Sequence, residues 1–290
     1  MNEKFVINGQ QPLSGEIEVR GAKNAAFSLL AASLLTEEKC IIDNLPLIED
    51  VFRMVEILKS LGAKISWLGE RRIQIKADDI SLDKLRDDLV CVFRGSILLI
   101  GPLLARFGHL KFPHPGGCII GSRPIDTHLD AFAQMGVKIE PIDNKYFSFK
   151  FDKKDFSSKS VILNEFSVTA TENLMLFASA FPGKTEIKIA DSDYQSQELA
   201  KFLSKIGVRI EGAGTHTIIV KGEERLKGAE HKLMYDPIEA GTFILIAVSS
   251  KSPLTVKNVE YPFLEFPLKK MRDFGLDFEI YPQKENPFLK

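Results

Sequence analysis

The sequence predicts a mixed α/β (α+β) chain built from repeated helix–strand–helix–strand–strand units. Three observations predict it. A helical apolar pattern that ends in glycine and passes into an alternating pattern occurs four times, around Gly62, Gly136, Gly207 and Gly275. Glycine suits the left-handed position just past a helix, where a Cβ is costly. Upstream of each such helix lies a more apolar helical segment, and a short β-type segment separates the two. The glycines recur about every 70 residues, a spacing that holds a whole subdomain and exceeds the usual solenoid period.

The elements follow in order. Residues 24–35 read as the first apolar helix, 40–42 as a strand, and Glu56-Ile57-Leu58-Lys59-Ser60-Leu61 as the helix before Gly62. Strands at 64–67 and 72–76 complete the first copy. The second copy has a helix at 95–107, a strand at 110–112 and the helix ending at Gly136. The third has a helix at 171–181, a strand at 185–189 and the helix ending at Gly207. The fourth has a helix at 241–249, a strand at 254–256, the helix ending at Gly275, and the alternating Leu276-Asp277-Phe278. The four upstream helices are apolar nearly all round, which predicts burial. The Lys/Glu-rich stretch 221–232 reads as a solvated connector.

One copy differs. From short strand to glycine, the first, third and fourth copies take roughly 20 to 23 residues, and the second takes about five more. The surplus falls on His114-Pro115-Gly116-Gly117-Cys118-Ile119-Ile120-Gly121-Ser122-Arg123-Pro124-Ile125-Asp126-Thr127-His128. An insertion confined to one copy tends to sit on the functional face.

The bulk composition narrows the function. The net charge of -1 argues against a nucleic-acid footprint. No apolar run is long enough to span a bilayer, and Met1-Asn2-Glu3-Lys4 lacks a signal-peptide pattern. Three cysteines with no close pair suggest a reducing compartment. No Cys/His cluster has metal-ligand spacing. The expectation is a soluble cytoplasmic protein with no metal and no cofactor, bound to neither nucleic acid nor membrane.

Several residues could carry chemistry. Cys118 follows two glycines, with Arg123 and His128 near in sequence, so its thiol could serve as proton donor or nucleophile on a lid loop. The competing reading is a small hydrophobe beside Ile119. Cys40 and Cys91 lie in apolar patterns and read as packing residues. Lys23-Asn24 opens the first apolar helix. A lysine there opposes the helix dipole, which makes sense if an anion is held by Lys and helix N–H groups together; otherwise it is a solvated surface lysine. Arg94 occupies the matching helix start in the second copy. Arg123 and Asp126 bracket Pro124 and either bind a ligand or pair with each other. Ser167-Val168-Thr169 opens the third apolar helix, as ligand contact or simply as an N-cap. Glu239 sits at a dipole-favoured helix start. His109, His216 and His231 show no partner in the sequence.

Taken together these residues resemble the UDP-N-acetylglucosamine 1-carboxyvinyltransferases, the enolpyruvyl transferases of early peptidoglycan synthesis and cell-wall formation. The matching motifs are Gly21-Ala22-Lys23-Asn24-Ala25-Ala26, Gly101-Pro102-Leu103-Leu104-Ala105-Arg106-Phe107-Gly108, Pro115-Gly116-Gly117-Cys118-Ile119-Ile120-Gly121-Ser122-Arg123-Pro124-Ile125-Asp126 and Ile238-Glu239-Ala240-Gly241-Thr242-Phe243. The resemblance runs from about residue 4 to about residue 280. It implies an inside-out α/β barrel fold with three units to a domain. One complete three-unit domain would cover 22–231, and residues 1–21 and 232–290 would form part of a second, with one of its three units. The implied substrates are phosphoenolpyruvate and UDP-N-acetylglucosamine, joined at the sugar 3-hydroxyl with release of phosphate. The resemblance implies Cys118 and Lys23 as catalytic. Lys23, Asn24 and Arg94 would serve the phosphoenolpyruvate side. Arg123, Pro124, Ile125, Asp126, Thr127, Ser167, Val168 and Thr169 would hold the uridine diphosphate portion.

The chain also departs from the family pattern. Glu165 stands where a basic residue is common, Thr169 replaces a frequent glycine, and Pro237 replaces a frequent arginine. Four copies are legible where the family has six, so the expectation is a C-terminally truncated chain, inactive alone. Its incomplete domain would expose the helices at 241–249 and 268–274 and promote association. Two other readings stand beside the transferase: a UDP-sugar-binding module and a non-catalytic remnant.

Overall fold

In a computed structural model the described residues are 4–9, 11–116 and 124–281. The chain folds as two compact units, Lys23–Met234 and the flanking Met1–Ala22 with Tyr235–Lys290. The first strand, β1 (Gly15–Glu18), belongs to the smaller unit.

In the larger unit α1 (Lys23–Ala32) runs into a 3-10 turn over Ser33–Leu35 and is followed by β2 (Lys39–Asp43). Then come α2 (Glu49–Leu61), β3 (Lys64–Gly69) and β4 (Arg72–Lys76). Gly62 takes φ 113° and its N–H returns to the Leu58 and Lys59 carbonyls. A Cβ there would meet the Asp79 carbonyl oxygen at 2.1 Å, so only glycine closes this turn. Gly136, Gly207 and Gly275 also have positive φ, as the repeat predicts.

After the short α3 (Asp87–Val90), a 3-10 segment over Arg94–Leu99 leads into α4 (Ile100–Phe107) and β5 (His109–Pro113). The single helix expected at 95–107 is thus split. Pro102 lacks an N–H and is tolerated in the first turn of α4, which sets the α start near Ile100. Next come α5 (Asp126–Gln134), β6 (Lys138–Ile142), β7 (Tyr146–Lys150) and β8 (Lys159–Ile162). The third copy supplies α6 (Val168–Ala178), β9 (Gly183–Lys188), α7 (Tyr194–Lys205), β10 (Arg209–Glu211), β11 (Thr217–Gly222) and β12 (Glu230–Lys232). Strands therefore take both ends of the stretch read as a solvated connector.

Three sheets result, in the orders β12-β2-β4-β3, β5-β7-β6 and β10-β11-β9-β8. Within each copy the pairing is antiparallel. Between copies it is parallel: β8, which follows the second copy, joins β9 of the third, and β12, which follows the third, joins β2 of the first. α1, α4 and α6 are buried along most of their length, from Ala170 to Ala178 without interruption in α6.

The smaller unit holds α8 (Pro237–Ser249), β13 (Leu254–Lys257) and α9 (Glu265–Asp273). β1 pairs in parallel with β13, from Gly15 opposite Leu254 to Glu18 opposite Lys257. Asp236 caps α8, accepting from the N–H groups of Ile238 at 2.8 Å and Glu239 at 3.2 Å, with Pro237 in the first turn. Its core is small: Val19, Ala240, Leu264 and Leu268. Burial fails for α8, where only Pro237 and Ala240 are buried. The strand expected after Gly275 is absent among the described residues; Leu276 bonds back to the Met271 carbonyl at 3.0 Å instead. A strand with no neighbour gains no ladder bonds, so alternation alone does not form one. No helix among the described residues is long and apolar enough to cross a membrane.

Candidate functional site

The predicted site residues that are described within the larger unit fall into two groups. The first lies at the start of α1. Lys23 Nζ pairs with Asp50 at 3.0 Å, with both side chains part-exposed, so the cation that opposes the helix dipole is compensated by a carboxylate of α2. Asn24 Nδ2 donates to the Tyr194 hydroxyl at 3.3 Å.

The second group gathers around the first turn of α5. Arg94 Nη2 donates to the Pro124 carbonyl at 2.9 Å. Ile125 is buried, Asp126 is exposed, and Thr127 Oγ1 donates to Glu165 at 3.0 Å. His128 Nε2 lies 3.0 Å from Thr169 Oγ1. Two turns distant in sequence, 124–128 and 165–169, are thereby tied side chain to side chain. Glu165 and Thr169, two of the three residues at which the chain was expected to depart from the pattern it resembles, are the residues on the far side of both ties. Ser167 is an N-cap, its Oγ accepting from the Ala170 N–H at 3.4 Å. Of the first-turn N–H groups of α6, which have no partner inside the helix, that of Ala170 is satisfied by this cap.

Cys118 and Arg123 lie outside the described residues. Gly116, the last described residue before them, is well packed. Gly116 is buried, its N–H donates to the Val90 carbonyl at 3.2 Å, and a Cβ would lie 2.5 Å from both the Cys91 carbonyl oxygen and the Phe93 nitrogen. The glycine at this position serves close backbone approach rather than mobility.

The other two cysteines differ from each other. Cys40 is buried on β2, and burial pushes its thiol up to about 11. Cys91 is exposed, contrary to its apolar sequence surroundings, because it sits just past the short α3; part-burial and then the charges of Asp87 and Asp88 raise its thiol. Neither is disposed to form a thiolate near neutrality.

Sequence reasoning singled out His128 only as a neighbour of Cys118, and missed both its burial and the buried polar groups around it. His128 is 2% exposed, and burial, followed by the charge of Arg94, holds its imidazole down to about 3. Asn173 on α6 touches His128 Nδ1 at 3.2 Å. The spacing Thr169–Asn173 places both on one helix face, a signal that gains meaning only once His128 is known to oppose it. His231, without a partner in the sequence, meets Glu198 at 2.8 Å, and Glu198 also accepts from the Met234 N–H at 2.8 Å. Burial is the largest single influence and works against the Glu198 carboxylate, but the His231 contact, the Lys201 charge and the Met234 N–H together outweigh it and the net shift is downward.

Comparison with known proteins places the chain in a family. The sequence model of EPSP synthase (3-phosphoshikimate 1-carboxyvinyltransferase) matches residues 7–286. The UDP-N-acetylglucosamine 1-carboxyvinyltransferase of Coxiella burnetii (strain Dugway 5J108-111) is 38% identical over 278 residues, 96% of this chain and 64% of that protein. UDP-N-acetylglucosamine 1-carboxyvinyltransferase 2 of Clostridium tetani (strain Massachusetts / E88) is 39% identical over 277 residues, 95% of this chain and 66% of that protein. The chain thus spans a little under two thirds of these relatives. Among solved structures, the enolpyruvyl transferase NikO from Streptomyces tendae superposes with a TM-score of 0.83 at 21% identity, over 95% of this chain and 65% of that one. EPSP synthase from Acinetobacter baumannii superposes at 0.70 and 15% identity, over 92% and 60%. The fold is the mixed α/β fold of these enzymes, and the chain belongs to the EPSP synthase family of enolpyruvyl (1-carboxyvinyl) transferases.

Proposed function

We propose that the chain supplies the nucleotide-sugar side of an enolpyruvyl transfer from phosphoenolpyruvate to the 3-hydroxyl of UDP-N-acetylglucosamine, with release of phosphate. The observation that carries the reading is the union of the turn at Pro124–Ile125–Asp126–Thr127–His128 with Arg94, Glu165 and Thr169. It stands beside relatives of 38 and 39% identity that bear that enzyme's name. In this reading Arg123 through Thr127 and the start of α6 hold the uridine diphosphate. Lys23, Asn24 and Arg94 face phosphoenolpyruvate, and Cys118 is the general acid. Positive charge around the donor suits the reaction, because negative charge builds on the departing phosphate.

The parallel pairings β8–β9 and β12–β2 support an inside-out barrel of three units in the larger unit. Each passes a strand from one copy to another, and the second returns from the third copy to the first. The exposed apolar faces of α8 and α9 are surfaces for association in the same reading.

Titration calorimetry of the 290-residue chain with UDP-N-acetylglucosamine, UDP and a sugar phosphate tests the reading. Binding of the first two and not the third is expected. No heat with either uridine nucleotide at millimolar concentration overturns it. Phosphate release from phosphoenolpyruvate, measured with and without the nucleotide sugar, separates transferase from binding module.

A further inference from the structure

The hydrogen bonds behind the α6 turn have only one consistent polarity. The Gly101 N–H donates to Asn173 Oδ1 at 2.8 Å, and a backbone N–H can only donate. Asn173 Nδ2 in turn donates to the Ile97 carbonyl at 3.0 Å, and a carbonyl can only accept. Two backbone groups thus fix which end of the amide is nitrogen. That nitrogen also faces His128 Nδ1 at 3.2 Å, so Nδ1 must be the acceptor and carry no proton. The ring proton then sits on Nε2, which faces Thr169 Oγ1 at 3.0 Å and donates to it. A hydroxyl that accepts from imidazole keeps its own proton to give elsewhere.

We infer that His128 is a positioning residue, which, held by Asn173 as the Nε2–H tautomer, fixes the Thr169 hydroxyl as a donor toward an acceptor oxygen of a bound nucleoside diphosphate. The inference rests on the function proposed above and adds a residue that touches no ligand. The geometry gives the assignment its rigidity. His128 and Asn173 are 2% and 1% exposed. A Cβ on Gly101 would lie 2.6 Å from the Asn173 carbonyl oxygen, so α4 approaches α6 closely at this point. Protonation of His128 is opposed twice, by burial and by the Asn173 amide protons facing Nδ1.

Long-range proton–nitrogen correlation spectra of the imidazoles, together with binding of UDP-N-acetylglucosamine, test the inference on the full chain. His128 should give the Nε2–H pattern and remain neutral from pH 8 to pH 5. An Nδ1–H pattern, or titration near 6.5, overturns the wiring whatever the ligand does. In binding, Thr169→Val and His128→Leu should each weaken affinity roughly tenfold, the worth of one hydrogen bond. The double variant should be little worse than either, because both changes remove the same donor. His128→Gln, whose amide can place an N–H near the Nε2 position, should retain most of the affinity, and Thr169→Ser should as well. Additive losses in the double variant, or equal losses in His128→Gln and His128→Leu, overturn the positioning role. A wild-type chain that shows the Nε2–H pattern but binds no uridine nucleotide overturns the proposed function, and with it donation to that ligand, while the wiring stands.

Discussion

α6 and α8 occupy the same place in their copies of the repeat, both are apolar on nearly every side, and they end in opposite environments. Every residue from Ala170 to Ala178 of α6 is buried. In α8, Ile238 is 59% and Leu245 55% exposed. The sequences of the two helices do not predict this difference. α6 is surrounded by α4, α5 and α7 of its own unit, whereas α8, among the described residues, packs on β13 and on a small buried cluster of Val19, Leu264 and Leu268 with part-buried residues around it. Apolarity all round states what a helix requires, and the neighbours decide whether it is met.

The sharpest way to break the comparison is to truncate both helices. Phe177 of α6 is fully buried among Phe132, Phe151 and Phe181, with ring centroids 5.1 to 5.7 Å away. Phe177→Ala should cost about 3–5 kcal/mol in denaturant unfolding followed by near-ultraviolet signal. Leu245→Ala in α8 should cost less than about 1 kcal/mol, since most of the side chain is already in water. Similar losses for the two would mean that α8 is covered in solution.

The same contrast shows why some features were legible and others were not. The glycine turns at Gly62 and Gly136 and strand β4 depend on local sequence, and the structure places them where the pattern puts them. The split of the helix expected at 95–107 was foreshadowed by Pro102, but apolar periodicity hid it. The missing strand after Gly275 depends on a partner strand, which no local pattern reports. In the candidate site, Arg94 was legible as a basic residue at a helix start, and Thr127 only through the family resemblance. Asn173 was not, because its role exists only when α4, α5 and α6 meet.

Acidic residues sharpen the comparison further. Glu172 lies in the middle of α6, 1% exposed, and its Oε1 accepts no hydrogen bond among the described residues. Burial, aided by the nearby Asp191 carboxylate and opposed by a hydrogen bond with Ser28, pushes the Glu172 carboxyl up to about 8. A raised folded-state value means that the folded chain holds this proton more tightly than the unfolded chain. The contribution to stability is full below the unfolded value near 4.5 and is lost as pH rises through about 8. Glu172→Gln should therefore match the wild type at pH 5 and exceed it at pH 9, by about 1–3 kcal/mol. Melting curves across that range check it, and parallel slopes for the two proteins would show that the carboxyl is solvated. Glu239 in α8 differs in kind: it accepts from the Arg20 N–H at the edge of a small core, and Glu239→Gln keeps an acceptor in place.

The smallest effect on stability should come with a visible effect on association. Ile238, Leu245 and Ile246 of α8, at 41 to 59% exposure, lie in one unit with Phe266 of α9, at 69%. Exposed apolar side chains of this number on neighbouring elements favour contact with another apolar surface. Replacing Leu245 and Phe266 together by serine should change the unfolding free energy by less than about 1 kcal/mol. It should also lower the binding of an apolar fluorescent dye and shift sedimentation toward the monomer. The same pair of substitutions cannot be made harmlessly in α6, where there is no exposed face on which to place them. If the double variant binds dye as strongly as the parent, the sticky surface lies elsewhere and α8 is already covered. If it unfolds instead, α8 belongs to a core as essential as that of α6, and the difference between the two helices is one of exposure alone.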